Sequence, residues 1–125
     1  MLRKSLCLAA FALLGCGDAG PTILSVTELH NTTSELGPYG VWATIVDDHE
    51  VKRVELHWRV GAGGEEPAVV MTALGDDVWY GELPGQPVGS KIEWYVAVSD
   101  GRADGIDTFP DDYAGHPLKF SVVAK

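Results

Sequence analysis

From Lys91 to Ser99 the side chains alternate without a break. Ile92, Trp94, Val96 and Val98 hold one phase, and Lys91, Glu93, Tyr95 and Ala97 hold the other. Successive Cβ atoms of an extended chain point to opposite sides, so this period of two marks a strand with one buried face. An amphipathic helix needs apolar residues three and four apart. No window beyond the first 15 residues shows that spacing. The alternation recurs in Tyr39–Asp47, where Tyr39, Val41, Ala43 and Ile45 share a face. It recurs again in Val51–Val60, where Val54, Leu56 and Trp58 oppose Glu55, His57 and Arg59. Shorter apolar runs at Thr22–His30, Ala68–Ala73, Val78–Leu83 and Leu118–Ala124 complete the set. Turn residues separate them: Gly37-Pro38, Asp47-Asp48-His49-Glu50, Gly75-Asp76-Asp77 and Pro84–Ser90. Residues 61–67 and 100–117 read as loops. About seven short strands at this spacing predict an all-β antiparallel sandwich.

The amino terminus sets the address. Arg3 and Lys4 precede an apolar run from Leu6 to Leu14, the order of a secretory signal. The run is too short for a membrane-spanning helix, which needs about 20 residues. Leu13-Leu14-Gly15-Cys16 resembles a bacterial lipobox. That resemblance implies cleavage of residues 1–15, lipidation of Cys16 by fatty acyl groups such as palmitate, and a tether over 16–21. The partner would then be a membrane, reached through lipid. Gly17 after Cys16 favours the outer membrane of the cell envelope over the inner.

The remaining 110 residues are enough for one domain, 22–125, with a single core. Cys7 would leave with the signal, so the domain has no cysteine for a disulfide and depends on packing. Loss of Arg3 and Lys4 takes the formal charge from −9 to −11. Such a body is repelled by nucleic acid and by anionic headgroups.

Two segments carry a second resemblance. Pro38-Tyr39, Val41, Ala43, Ile45 and Asp47, then Val54, Leu56 and Trp58-Arg59, look like the opening of a bacterial immunoglobulin-like module. Trp79-Tyr80, Leu83-Pro84-Gly85-Gln86-Pro87, Gly89 and Ile92–Val98 are similar to its later strands. The resemblance implies an immunoglobulin-like sandwich with fibronectin type III-like strand order. Trp94 stands where that family has a tyrosine that bonds across a corner, and an indole N–H points elsewhere.

Few residues arrange themselves for catalysis. There is no Gly-x-Ser-x-Gly elbow, and His30, His49, His57 and His116 lie in separate segments. No close His/Cys pair predicts zinc. The glycine run at 61–64 is not followed by the Lys-Ser or Lys-Thr of a phosphate loop. Two patterns remain. Asp47, Asp48, Asp76, Asp77, Asp100, Asp104 and Asp107 come from three connections that the implied strand order gathers at one pole, where converging carboxylates suit Ca²⁺. Aspartate is also a plain turn former. Trp42, Tyr80 and Tyr95 fall on the phase opposite to the core, as a binding surface requires. The expected function is a non-enzymatic envelope lipoprotein, a binding or spacer module that engages other proteins. The alternative is a calcium- or carbohydrate-binding surface module.

Overall fold

The computed structural model describes residues 20–47, 50–61, 64–102 and 105–125. The signal run, Cys16, Asp48, His49 and Asp104 lie outside the described residues. Among the described residues there is no helix, and none could cross a membrane as one. Nine strands follow in order: β1 (Thr22–Val26), β2 (Tyr39–Val46), β3 (Arg53–Val60), β4 (Ala68–Val70), β5 (Thr72–Gly75), β6 (Val78–Leu83), β7 (Lys91–Ser99), β8 (Ile106–Phe109) and β9 (Leu118–Ser121). They form a β-sandwich of two antiparallel sheets. One has the order β1-β2-β6-β5. The other runs β4-β3-β7-β8, with β9 also on β7.

The alternating phases explain why the sheets face each other. Val41, Ala43 and Ile45 of β2 point inward, as do Val54 and Leu56 of β3 and Ile92, Trp94, Val96 and Val98 of β7. All are nearly inaccessible to water. Burying such side chains contributes roughly 1.5–3 kcal/mol each for the larger ones, the main force against chain entropy here. Trp94 is fully buried, whereas Trp58, its cross-strand partner, only packs against the rim of the core.

The expected Ala68–Ala73 strand divides. Val69 pairs with Leu56 in one sheet, and Thr72 pairs with Tyr80 in the other. Met71 is the crossing point: its side chain is buried and its N–H bonds Val54 O at 2.8 Å. The expected 100–117 loop contains β8. Its pattern is inverted, with Ile106 exposed and Asp107 buried, so an apolar alternation could not reveal it.

β7 is the spine. One edge pairs with β3 from Arg53↔Ser99 to Val60↔Ile92. The other edge is shared: β9 takes Lys91–Trp94 and β8 takes Val96–Ser99. The chain between β8 and β9 leaves the sheet beside Tyr95, a position that decides the site below. The sandwich is also laced across its open side. Ile23 N–H donates to Asp107 Oδ2 at 3.0 Å, joining β1 to β8 of the other sheet. Past β1, Thr32 forms a parallel bridge to Val122. Tyr39 donates its hydroxyl to Ser34 O at 2.7 Å and so pins the bend into β2. That is the kind of corner bond that Trp94 does not make, since Trp94 Nε1 has no partner among the described residues.

Candidate functional site

The outer face of the four-stranded sheet is nearly free of charge. Its strands hold one charged residue, Glu82. The strands of the other sheet hold seven: Arg53, Glu55, Arg59, Lys91, Glu93, Asp107 and Lys119. In a chain of formal charge −9 this asymmetry is a property of one face, not of composition. Trp42 and Tyr80 sit directly opposite each other on β2 and β6, with ring centroids 4.7 Å apart. Gly40 lets the indole lie down: a Cβ there would meet the Trp42 ring at 3.0 Å and Tyr80 at 3.2 Å. The Tyr80 hydroxyl donates to Glu82 at 2.5 Å, which holds its proton above the usual tyrosine range. The pair is therefore fixed in place, and Trp42 remains 46 % exposed. Beside it the register lines up Thr44 with Val78, flanked by the exposed Leu24 and Leu74 at the bulges of the two edge strands. The result is a band of uncharged side chains across all four strands.

Tyr95 does not join this surface. It lies on β7, in the other sheet, and belongs to a second aromatic group. His57 stacks on it at 4.7 Å, nearly parallel, because the two are cross-strand neighbours. Tyr113 stacks on it at 4.1 Å. That ring arrives from the 110–117 segment, which leaves the sheet beside Tyr95. The turn that carries it is tied by His116 N–H to Asp112 O at 2.9 Å. Glu66 accepts the Tyr95 hydroxyl at 2.8 Å and lies 3.7 Å from His57 Nδ1. Burial first, and then Glu66, pushes the Tyr95 phenol well above its ordinary range. On the other side of His57, Glu55 Oε1 is 3.2 Å from Nε2. Glu55 is held below the usual carboxylate range, chiefly by its hydrogen bond from Arg53 at 2.6 Å. Arg59 pairs with Glu93 at 2.7 Å one step along the ladder. Of these groups, His57, Arg59, Glu66, Glu93, Tyr95 and Tyr113 line a pocket of about 210 Å³, together with Pro117.

The described aspartates are partly used by the fold. Asp100 is buried and takes three hydrogen bonds from Arg102, two of them from its guanidinium. Asp107 receives the Ile23 N–H. Asp76 and Asp77 both have positive φ, 55° and 66°, the conformation of a two-residue hairpin turn that aspartate tolerates. Asp47, Glu50 and Asp77 do line one shallow hollow at the pole. Among the described residues, however, no three His, Cys, Asp or Glu side chains group closely enough to hold a metal ion. Nor does a serine hydroxyl pair with a histidine there: His57 is enclosed by carboxylates, and His116 pairs with Asp112 at 2.9 Å.

No protein-family model matches this chain, and no curated protein aligns with it. The site is thus read from its own geometry. Sequence reasoning missed His57, Glu66 and Tyr113. The alternation did place His57 outward on its strand, but only the pairing of β3 with β7 sets it against Tyr95.

Proposed function

We propose that this protein is a non-enzymatic module of the bacterial cell envelope, tethered through lipid on Cys16, that docks another protein. Its fold is read as an immunoglobulin-like sandwich of fibronectin type III-like order. The strand order β1-β2-β6-β5 against β4-β3-β7-β8 supports that reading, as does the crossing of the chain from one sheet to the other at Met71. The observation that carries the function is the contrast between the two outer faces. One is charged and internally paired. The other is nearly uncharged and centred on the Trp42–Tyr80 pair. Interface cores are depleted in charge and enriched in tryptophan and tyrosine, and a ring already held in place loses little freedom on binding.

The tether also bears on the geometry. Gly20 and Pro21 are already buried in the sandwich, so only residues 17–19 would separate Cys16 from the folded body. Such a link reaches about 15 Å at most, which keeps the module close to its membrane. Fractionation of cells expressing wild type and Cys16→Ser tests the tether, since the variant should leave the membrane pellet. Co-purification with Trp42→Ala tests the face. A variant that folds normally should lose partners that wild type retains.

A further inference from the structure

We infer that the pocket beside Tyr95 is a second binding site, independent of the docking face, and that it takes one neutral, hydroxyl-rich six-membered ring such as a pyranose unit. The size sets the first limit. A volume of about 210 Å³ is smaller than the roughly 300–1,000 Å³ of drug-sized sites, so the occupant is one small ring. Charge sets the second. Arg59 is matched by Glu93 at 2.7 Å, and Lys119 lies 3.9 Å from the same carboxylate. His57 stands between Glu55 and Glu66. An anion would have to break the Arg59–Glu93 pair, and a cation would compete with the Tyr95 hydroxyl for Glu66, whereas a neutral ligand need only share these bonds.

The hydrogen-bonding groups set the third. A sugar hydroxyl is one donor and two acceptors, and it asks its site for both kinds. Here two of the five Arg59 N–H donors serve Glu93, through Nε at 2.8 Å and Nη2 at 2.7 Å. Glu66 and Glu93 offer carboxylate acceptors. These groups are planar and fixed by their neighbours, so they lose little freedom when a ligand arrives. The wall sets the fourth. Tyr113 presents a ring backed by Tyr95 and His57, a three-ring stack against which the C–H face of a pyranose can lie. Trp42 and Tyr80 lie on the opposite sheet, whose strands hold no Arg or Lys.

The test is saturation-transfer NMR on the full-length protein in a sugar-free detergent, with methyl glucoside, methyl galactoside and the methyl glycoside of N-acetylglucosamine as separate probes. Methylammonium is the ionic comparison. Transfer to the ring C–H protons of at least one glycoside is expected, with little to methylammonium. Tyr113→Leu should weaken binding about tenfold. Tyr113→Phe should retain it, which separates loss of the ring from misfolding, and Trp42→Ala should leave it unchanged. Absence of transfer to every glycoside, stronger transfer to methylammonium, or equal binding by Tyr113→Leu would overturn the inference. The Trp42→Ala result keeps this outcome separate from the fate of the docking face.

Discussion

Asp107 of β8 accepts a hydrogen bond from the backbone N–H of Ile23 in β1, 84 residues away in sequence. The two strands belong to different sheets, so this bond closes the side of the sandwich. A buried carboxylate is expensive unless its bonds are made. Asp107 thus replaces an apolar residue at an inward position in order to satisfy an edge-strand donor.

Removing that acceptor leaves the Ile23 N–H buried and unpaired. Asp107→Ala should destabilise the domain by about 1–3 kcal/mol. Asp107→Asn keeps a carbonyl oxygen in reach and should cost less. Urea unfolding of the three proteins checks the order. Equal stability of Asp107→Ala and wild type would show that the bond carries nothing.

Trp94 and Trp58 share a register but not an environment. Trp94 is fully buried, so Trp94→Ala should cost about 3–5 kcal/mol. Among the described residues its Nε1 has no partner, so Trp94→Phe removes an unsatisfied donor with part of the volume and should cost far less. Trp58→Ala should fall below Trp94→Ala. Denaturant midpoints of the variants provide the comparison.

Tyr95 makes stability fall at alkaline pH. Its folded pKa is raised, by burial first and by Glu66 second. A raised pKa contributes stability that is fully present below the unfolded value near 10 and is lost as pH climbs above it. Melting temperature should therefore drop past about pH 10 in wild type and drop less steeply in Tyr95→Phe. Parallel melting curves against pH for both proteins are the check, and identical slopes would contradict the assignment.

The hairpin between β5 and β6 holds two aspartates at positive φ. Asp77→Gly removes the Cβ from that strained position and gives the Asp-Gly pair such turns favour. It should raise stability by about 0.5 kcal/mol, read from the shift in thermal midpoint. A fall would mean that the Asp77 side chain has a role beyond the turn.

The strands with clean alternation were legible in the sequence because one face meets the core and the other meets water. β2, β3 and β7 are the cases. β8 was hidden, since its inward residue is Asp107. The break at Met71 was hidden too, because a change of sheet inside an apolar run leaves no mark on the pattern. Trp42, Tyr80 and Tyr95 were all readable as outward. Which of them meet was not, because that depends on the order of strands in each sheet. Tyr113 had no local signal at all. Its position follows from where β8 ends and β9 begins along the edge of β7.

The uncharged face around Trp42 and Tyr80 is proposed to engage a protein partner in the envelope. The direct measurement is photo-cross-linking in living cells, with a photoreactive residue at Thr72, which pairs with Tyr80 on that face, or at Arg53 on the other sheet. A discrete cross-linked protein is expected from position 72, none from position 53, and loss of the product when Trp42→Ala is added. No product from position 72, or the same products from both positions, would contradict it.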